Sequence, residues 1–282
     1  MILETLEEGG IPIADCRGQV YDNGANMAGK YKGVQALLLQ ENALAVFSPC
    51  GCHTLNLCGT DSAECCAEAI TFFGAVQTVY TLFSSSPQCW EILLSKTGNQ
   101  SLRSKSDTRW SSRINCVKPF AANLNGIKAA LEELLTLNLT PKTRTEINGA
   151  IQYVSSFTCI LMSAIWFKIL APIDICNKIL QARDATIDVE VTNIKELIEN
   201  LQELRTSWKK IWNEATQVAS SMGIEVKLPV RRQRKRKRFH DEEGQDADLP
   251  ERTEEDESSE EAMFRKTVFF MIIDSVIGGL TV

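Results

Sequence analysis

Histidine is nearly absent from this chain: His53 and His240 are the two in 282 residues. A zinc site built on Cys50-x-x-His53 has only half its ligands, and Cys58, Cys65 or Cys66 would have to turn inward to complete it. A Cys–His nucleophile is disfavoured too, because no third group stands near in sequence to orient the ring. A long apolar run is also missing. The longest, residues 159–173, contains Lys168 and Pro172 and falls short of the roughly 20 residues that cross a bilayer; it reads as a buried helix, and no membrane partner is expected. Met1-Ile2-Leu3-Glu4 brings a charge before any apolar stretch forms, which is not a secretory leader. The ten cysteines follow no framework of spacings, and two of them, Cys65 and Cys66, are adjacent. Reduced thiols in an intracellular protein are the expectation. No internal repeat occurs, and strand signals nearly vanish after Ile114.

What is present is mostly amphipathic helix. With 44% hydrophobic residues, the chain can bury one or two cores. Residues 2–8 look like the tail of a helix closed by Gly9-Gly10, as though something preceded it. Residues 11–21 read as extended structure ending at Asp22, followed by a helix over 33–41 and a short strand over 43–47. Ala67, Ile70, Phe73, Val76, Tyr80 and Phe83 recur at helical spacing. Ser86-Pro87 caps and starts a further helix through Leu94. Residues 117–137, 141–159 and 160–182 then read as successive helices, with a kink near Pro172. The clearest helix spans 189–222, with a stripe of Val191, Ile194, Ile198, Leu201, Trp208, Ile211, Ala215, Val218 and Met222. The last begins near Ala262 and carries Phe264, Val268, Met271, Ile272, Val276 and Leu280, still periodic at the terminus. The fold class is therefore mixed α/β, mainly helical. Four stretches are expected: an α/β unit over 1–115, a helical domain over 116–228, a linker over 229–261 and a final helix over 262–282.

The formal charge of −6 conceals a strong asymmetry. Arg231, Arg232, Arg234, Lys235, Arg236, Lys237 and Arg238 put seven cations into eight residues, and residues 241–261 then hold twelve carboxylates against one arginine. Neither block has the apolar content to offset chain entropy, so a disordered linker is expected. The basic run is best read as a nuclear-import signal, with an import receptor as partner. Direct DNA contact is the weaker reading, because the neighbouring acids compete for the same cations.

Three boxes carry a more specific signal. The first runs from Cys16 through Asp22 to Gln35, an acid at the end of a short strand followed by a glycine-punctuated loop and a helix. In open α/β sheets that carboxyl edge commonly holds ligands, although Asp22-Asn23-Gly24 is equally good turn chemistry. The second is Cys50-x-x-His53-x-Leu55-Asn56-Leu57, and the third is Thr108-Arg109-Trp110-Ser111-Ser112-Arg113. Occurring in this order, the boxes resemble the hAT superfamily of transposases, most closely its domesticated zinc-finger MYM-type 1-like branch.

The resemblance implies a partial ribonuclease H-like unit followed by an α-helical insertion domain. It places Asp22 at the second of three metal-binding acids; the first and third would lie outside this sequence. It places Cys50 and His53 in a packed box beside the catalytic centre, with Leu55 and Leu57 anchoring the helix. Trp110 would stack on an extruded base, or else seal the boundary between the two units, and Arg109 and Arg113 would touch phosphates. With one acid of three, the expectation is a nuclear protein without catalysis, associated with DNA or with protein partners. It would need no cofactor, since Mg²⁺ or Mn²⁺ is expected only for a complete family member. The alternative is a fragment of an active hAT transposase performing metal-dependent DNA strand transfer.

Overall fold

Glycine, proline and hydroxyl side chains set the joints of this chain. The structure is a computed structural model that describes residues 1–105, 110–183, 185–229 and 256–281. Helix α1 (Ile2–Glu8) closes at Gly9, and Gly10 follows at φ 66°, a left-handed conformation that suits glycine. A 3-10 turn over Ile13–Asp15 interrupts the expected extended segment, so strand β1 is confined to Gly18–Tyr21. Helices α2 (Ala25–Ala28) and α3 (Val34–Glu41) form the crossover to β2 (Val46–Pro49). The two strands are parallel, with Gly18 opposite Val46 and Tyr21 opposite Pro49. Strand β2 begins later than expected because Asn42 holds a turn: its Oδ1 accepts from Leu44 N at 2.9 Å and its carbonyl from Ala45 N at 3.1 Å.

Every regular element after β2 is helical among the described residues. The elements are α4 (Gly51–Glu64), α5 (Ala67–Ser84), α6 (Pro87–Lys96), α7 (Trp110–Ala122), α8 (Leu124–Leu134), α9 (Pro141–Val154) and α10 (Phe157–Leu180). After these come α11 (Ile187–Thr206), α12 (Trp208–Ser221) and α13 (Asp256–Phe264), then a π-helical turn over Arg265–Phe269 and α14 (Phe270–Leu280). Caps predicted from sequence are present: Ser86 Oγ accepts from Cys89 N at 3.2 Å, and Pro87 opens α6. Other joints shift or split the expected helices. Ser156 Oγ accepts from Cys159 N and sets the boundary between α9 and α10 a few residues earlier than the spacing suggested. Asn123 separates α7 from α8, and Ser207 separates α11 from α12. Helix α13 starts at Asp256, within the stretch expected as linker. The rest of the charged stretch, residues 230–255, lies outside the described residues.

Helix α10 is the axis of the helical body. It packs on α7, α11 and α12, and its Trp166 is fully buried, edge-on to Phe73 with ring centroids 4.8 Å apart. By length and composition α10 is the one single helix among the described residues that would suit a bilayer. Its partners are protein, however, and its apolar residues fill the core, as expected for residues 159–173. Helix α14 lies along α4 and against α11. One apolar cluster runs from Leu55 to Val276 and includes Phe120 of α7, Trp208 of α12 and Phe269 of the π turn. Residue 115 falls inside α7 and residue 262 inside α13, and the cluster takes in residues on both sides of each. No residue before Leu55 belongs to it.

Candidate functional site

The parallel pair brings the first two sequence boxes to one edge. Tyr21 ends β1, and its carbonyl accepts from Cys50 N at 3.0 Å, where β2 passes into α4. One residue past Tyr21, Asp22 stands at the carboxyl end of its strand, where sequence put it. Its side chain is exposed, and Oδ1 accepts from Gly24 N at 3.1 Å, closing a local turn. Asn23 Nδ2 donates to Thr54 Oγ1 at 3.1 Å, so the loop is stitched to the first turn of α4. Thr54 in turn donates to Cys50 O at 3.2 Å.

The Cys50–His53 turn is the start of α4, with Cys50 at the N-cap and His53 half-buried. Gly51 is buried, and the Glu190 carboxylate of α11 occupies the space where a Cβ on it would sit, an anion beside the positive end of a helix dipole. The Cys52 thiol is pushed up by burial, and the neighbouring Cys50 sulfur and Glu190 carboxylate add to the effect. Burial likewise pushes Cys176 up to about 11, with Cys52 and Glu190 contributing. Neutral thiols are what such surroundings favour. Among the described residues, no three His, Cys, Asp or Glu side chains converge as a metal's ligands. Leu55 anchors α4 in the core as the resemblance implied; Leu57 does not, being 44% exposed.

The third box fares differently. Trp110 begins α7, and Arg109 lies outside the described residues, as do Arg231, Arg232, Arg234, Lys235, Arg236, Lys237 and Arg238 of the basic run. Arg113 is 3% exposed, with its guanidinium carbon 5.0 Å from the Phe73 ring centroid. The guanidinium is thus held over an aromatic face inside the core.

Sequence reasoning missed the polar side chains that assemble this edge. Gln19 is buried and donates through Nε2 to Ala45 O at 2.8 Å and Gln35 O at 3.2 Å. Asn42 Nδ2 donates to Ile13 O and Cys16 O, both at 2.8 Å. A glutamine at the inward position of a strand and an asparagine just after a helix were the available signals. No family model matches the chain, and no solved structure matches it.

Proposed function

We propose that this chain is a catalytically incomplete, hAT transposase-derived nuclear protein that works by association with DNA or with other nuclear proteins. The reading rests on the three sequence boxes, and one structural observation carries it further. A parallel β-α-β crossover sets Asp22 and the Cys50–His53 turn side by side at the carboxyl edge, tied through Asn23 and Thr54. That arrangement suits a partial ribonuclease H-like unit over 1–115, with the helices over 116–228 as the insertion that follows it. The donors present do not fit a two-metal centre. Two ions about 4 Å apart need several carboxylates converging from different strands, whereas Asp22 is a single acid whose oxygen already serves the Gly24 amide. Asp22 is read as the relic of a metal-binding acid that now shapes a turn.

The test is DNA nicking by the full chain with Mg²⁺ or Mn²⁺. No cleavage above background is expected, and Asp22→Ala should change nothing. Metal-dependent nicking that disappears in Asp22→Ala would establish the alternative, a working transposase fragment. Retained binding to duplex DNA in a gel-shift assay, or capture of a nuclear protein by the purified chain, would supply the positive half of the proposal.

A further inference from the structure

An open cleft of about 690 Å³ lies where the first turns of α5, the last turns of α9 and the start of α10 meet, and residues 227–229 close one side. Sites for small organic ligands run to about 300–1,000 Å³. The walls are largely apolar, with Ala67, the Tyr153 ring, Pro229 and the buried Leu228 among them. Thr71, Gln152, Thr158 and Lys227 also line the cleft, and among the described residues their side chains make no hydrogen bond or ion pair. The Tyr153 hydroxyl is closed off from solvent and likewise has no partner. Burial raises its pKa, so it stays a neutral phenol able to donate. Leaving such a group unpaired is unfavourable, and an acceptor oxygen beside it would remove the penalty. Ser156, by contrast, is spent on capping: it donates to Tyr153 O at 2.6 Å and accepts from Cys159 N at 3.2 Å. Gly149 lies inside α9 at the same cleft, and a Cβ built on it meets nothing within 4 Å. Glycine is a poor helix former, and here its missing side chain leaves room at the wall.

The charges choose the sign of the ligand. First-turn residues of both α5 and α10 line the cleft, so two positive helix ends face it, against the negative end of α9. Lys227 adds a full positive charge, and the half-buried Glu68 in the first turn of α5 adds a negative one. One negative group is therefore matched, and a second would meet Glu68. We propose that this cleft binds an apolar monocarboxylate the size of a medium-chain fatty acid. Its chain lies against Leu228, Pro229 and the Tyr153 ring, and its carboxylate accepts from Lys227, Thr158 and the Tyr153 hydroxyl. Glu68 selects against dianions such as an alkyl phosphate. This site is independent of the proposed association with nuclear partners and stands or falls without it.

Dodecanoate is titrated into the full chain by isothermal calorimetry, below its micelle concentration, beside dodecyl phosphate and dodecyltrimethylammonium. Saturable one-to-one binding of dodecanoate is expected, about tenfold tighter than that of either competitor. Gly149→Leu puts a side chain into the open space and replaces glycine with a better helix former. That variant should melt no lower than the wild type and bind dodecanoate at least about tenfold more weakly. Lys227→Gln should weaken binding about two- to fivefold, and raised salt should have the same effect on the wild type. The inference is overturned if dodecanoate shows no saturable binding, if Gly149→Leu binds it as tightly as the wild type, or if the trimethylammonium analogue binds equally well. A wild-type dimer that Gly149→Leu dissolves, seen by light scattering, would assign the cleft to a second copy and overturn it too. The ligand series and Lys227→Gln decide the matter even if Gly149→Leu fails to fold.

Discussion

Gly278 and Gly279 are neighbours in α14 with opposite surroundings. A Cβ built on Gly278 meets nothing within 4 Å, but one on Gly279 falls 2.6 Å from Cys58 Sγ and 3.3 Å from Cys58 Cα. The second contact includes backbone and cannot be relieved by a rotamer change. Alanine gains up to about 1 kcal/mol over glycine within a helix, while overpacking costs about 1–3 kcal/mol. Gly278→Ala should therefore be neutral or stabilising, and Gly279→Ala should destabilise by about 1 kcal/mol or more; urea denaturation of the two variants reads the difference. Gly51 is a milder case. The atom it crowds is the Glu190 carboxylate, the far end of a flexible side chain, so Gly51→Ala should cost less than Gly279→Ala. None of these contacts is legible in the sequence, because each glycine is tight only through a helix that arrives from far along the chain.

At the scale of elements, the existence of most helices was legible from apolar spacing, but their breaks and final registers were not. The stripe read through 189–222 included Val218, yet Val218 is 41% exposed and Ala219 is buried. The rest of the α12 stripe, Trp208, Ile211 and Ala215, is buried as expected, and after Ala215 the buried face falls on Ala219. In the last helix the spacing included Met271, which is 43% exposed, while Ile273 is buried. The π turn over Arg265–Phe269 adds a residue to the local repeat and rotates the face that α14 presents. Trp208 shows what the expected face buries. It packs against Trp212, Phe264 and Phe269, and its Nε1 donates to Glu261 Oε1 at 2.7 Å, joining α12 to α13. Trp208→Ala should lower stability by about 3–5 kcal/mol in the same urea experiment. The basic run belongs to this scale as a segment. Replacing Arg234, Lys235, Arg236, Lys237 and Arg238 with alanine should move a fusion too large for passive diffusion out of the nucleus, as imaged in living cells. Unchanged nuclear accumulation would remove the import reading.

For the whole molecule, the two ends of the chain rest on different physics. The helical body from α4 onward shares one apolar cluster, with Trp166 and Trp208 in its interior. Each such ring buries ~150–250 Å². The unit before it has none of that cluster. It is held by amide side chains, Gln19 and Asn42, and by a pair of four-residue strands whose Val20 and Val46 are 56% and 64% exposed. Two parallel strands alone are a marginal sheet, and the edge bearing Asp22 belongs to it. The mixed α/β character of this unit was legible from Asp22 and the glycines behind it; its polar fastening was not, since buried amides have no periodicity.

Native-state hydrogen exchange tests this division most directly, because local opening needs less free energy where few apolar contacts hold the backbone. Amides in residues 20–31 should exchange much faster than those in residues 194–218, which span α11 and α12. Comparable protection of the two segments would contradict the account: the edge carrying Asp22 would then be as firmly built as the helical body, and its reading as a catalytically spent appendage would fail.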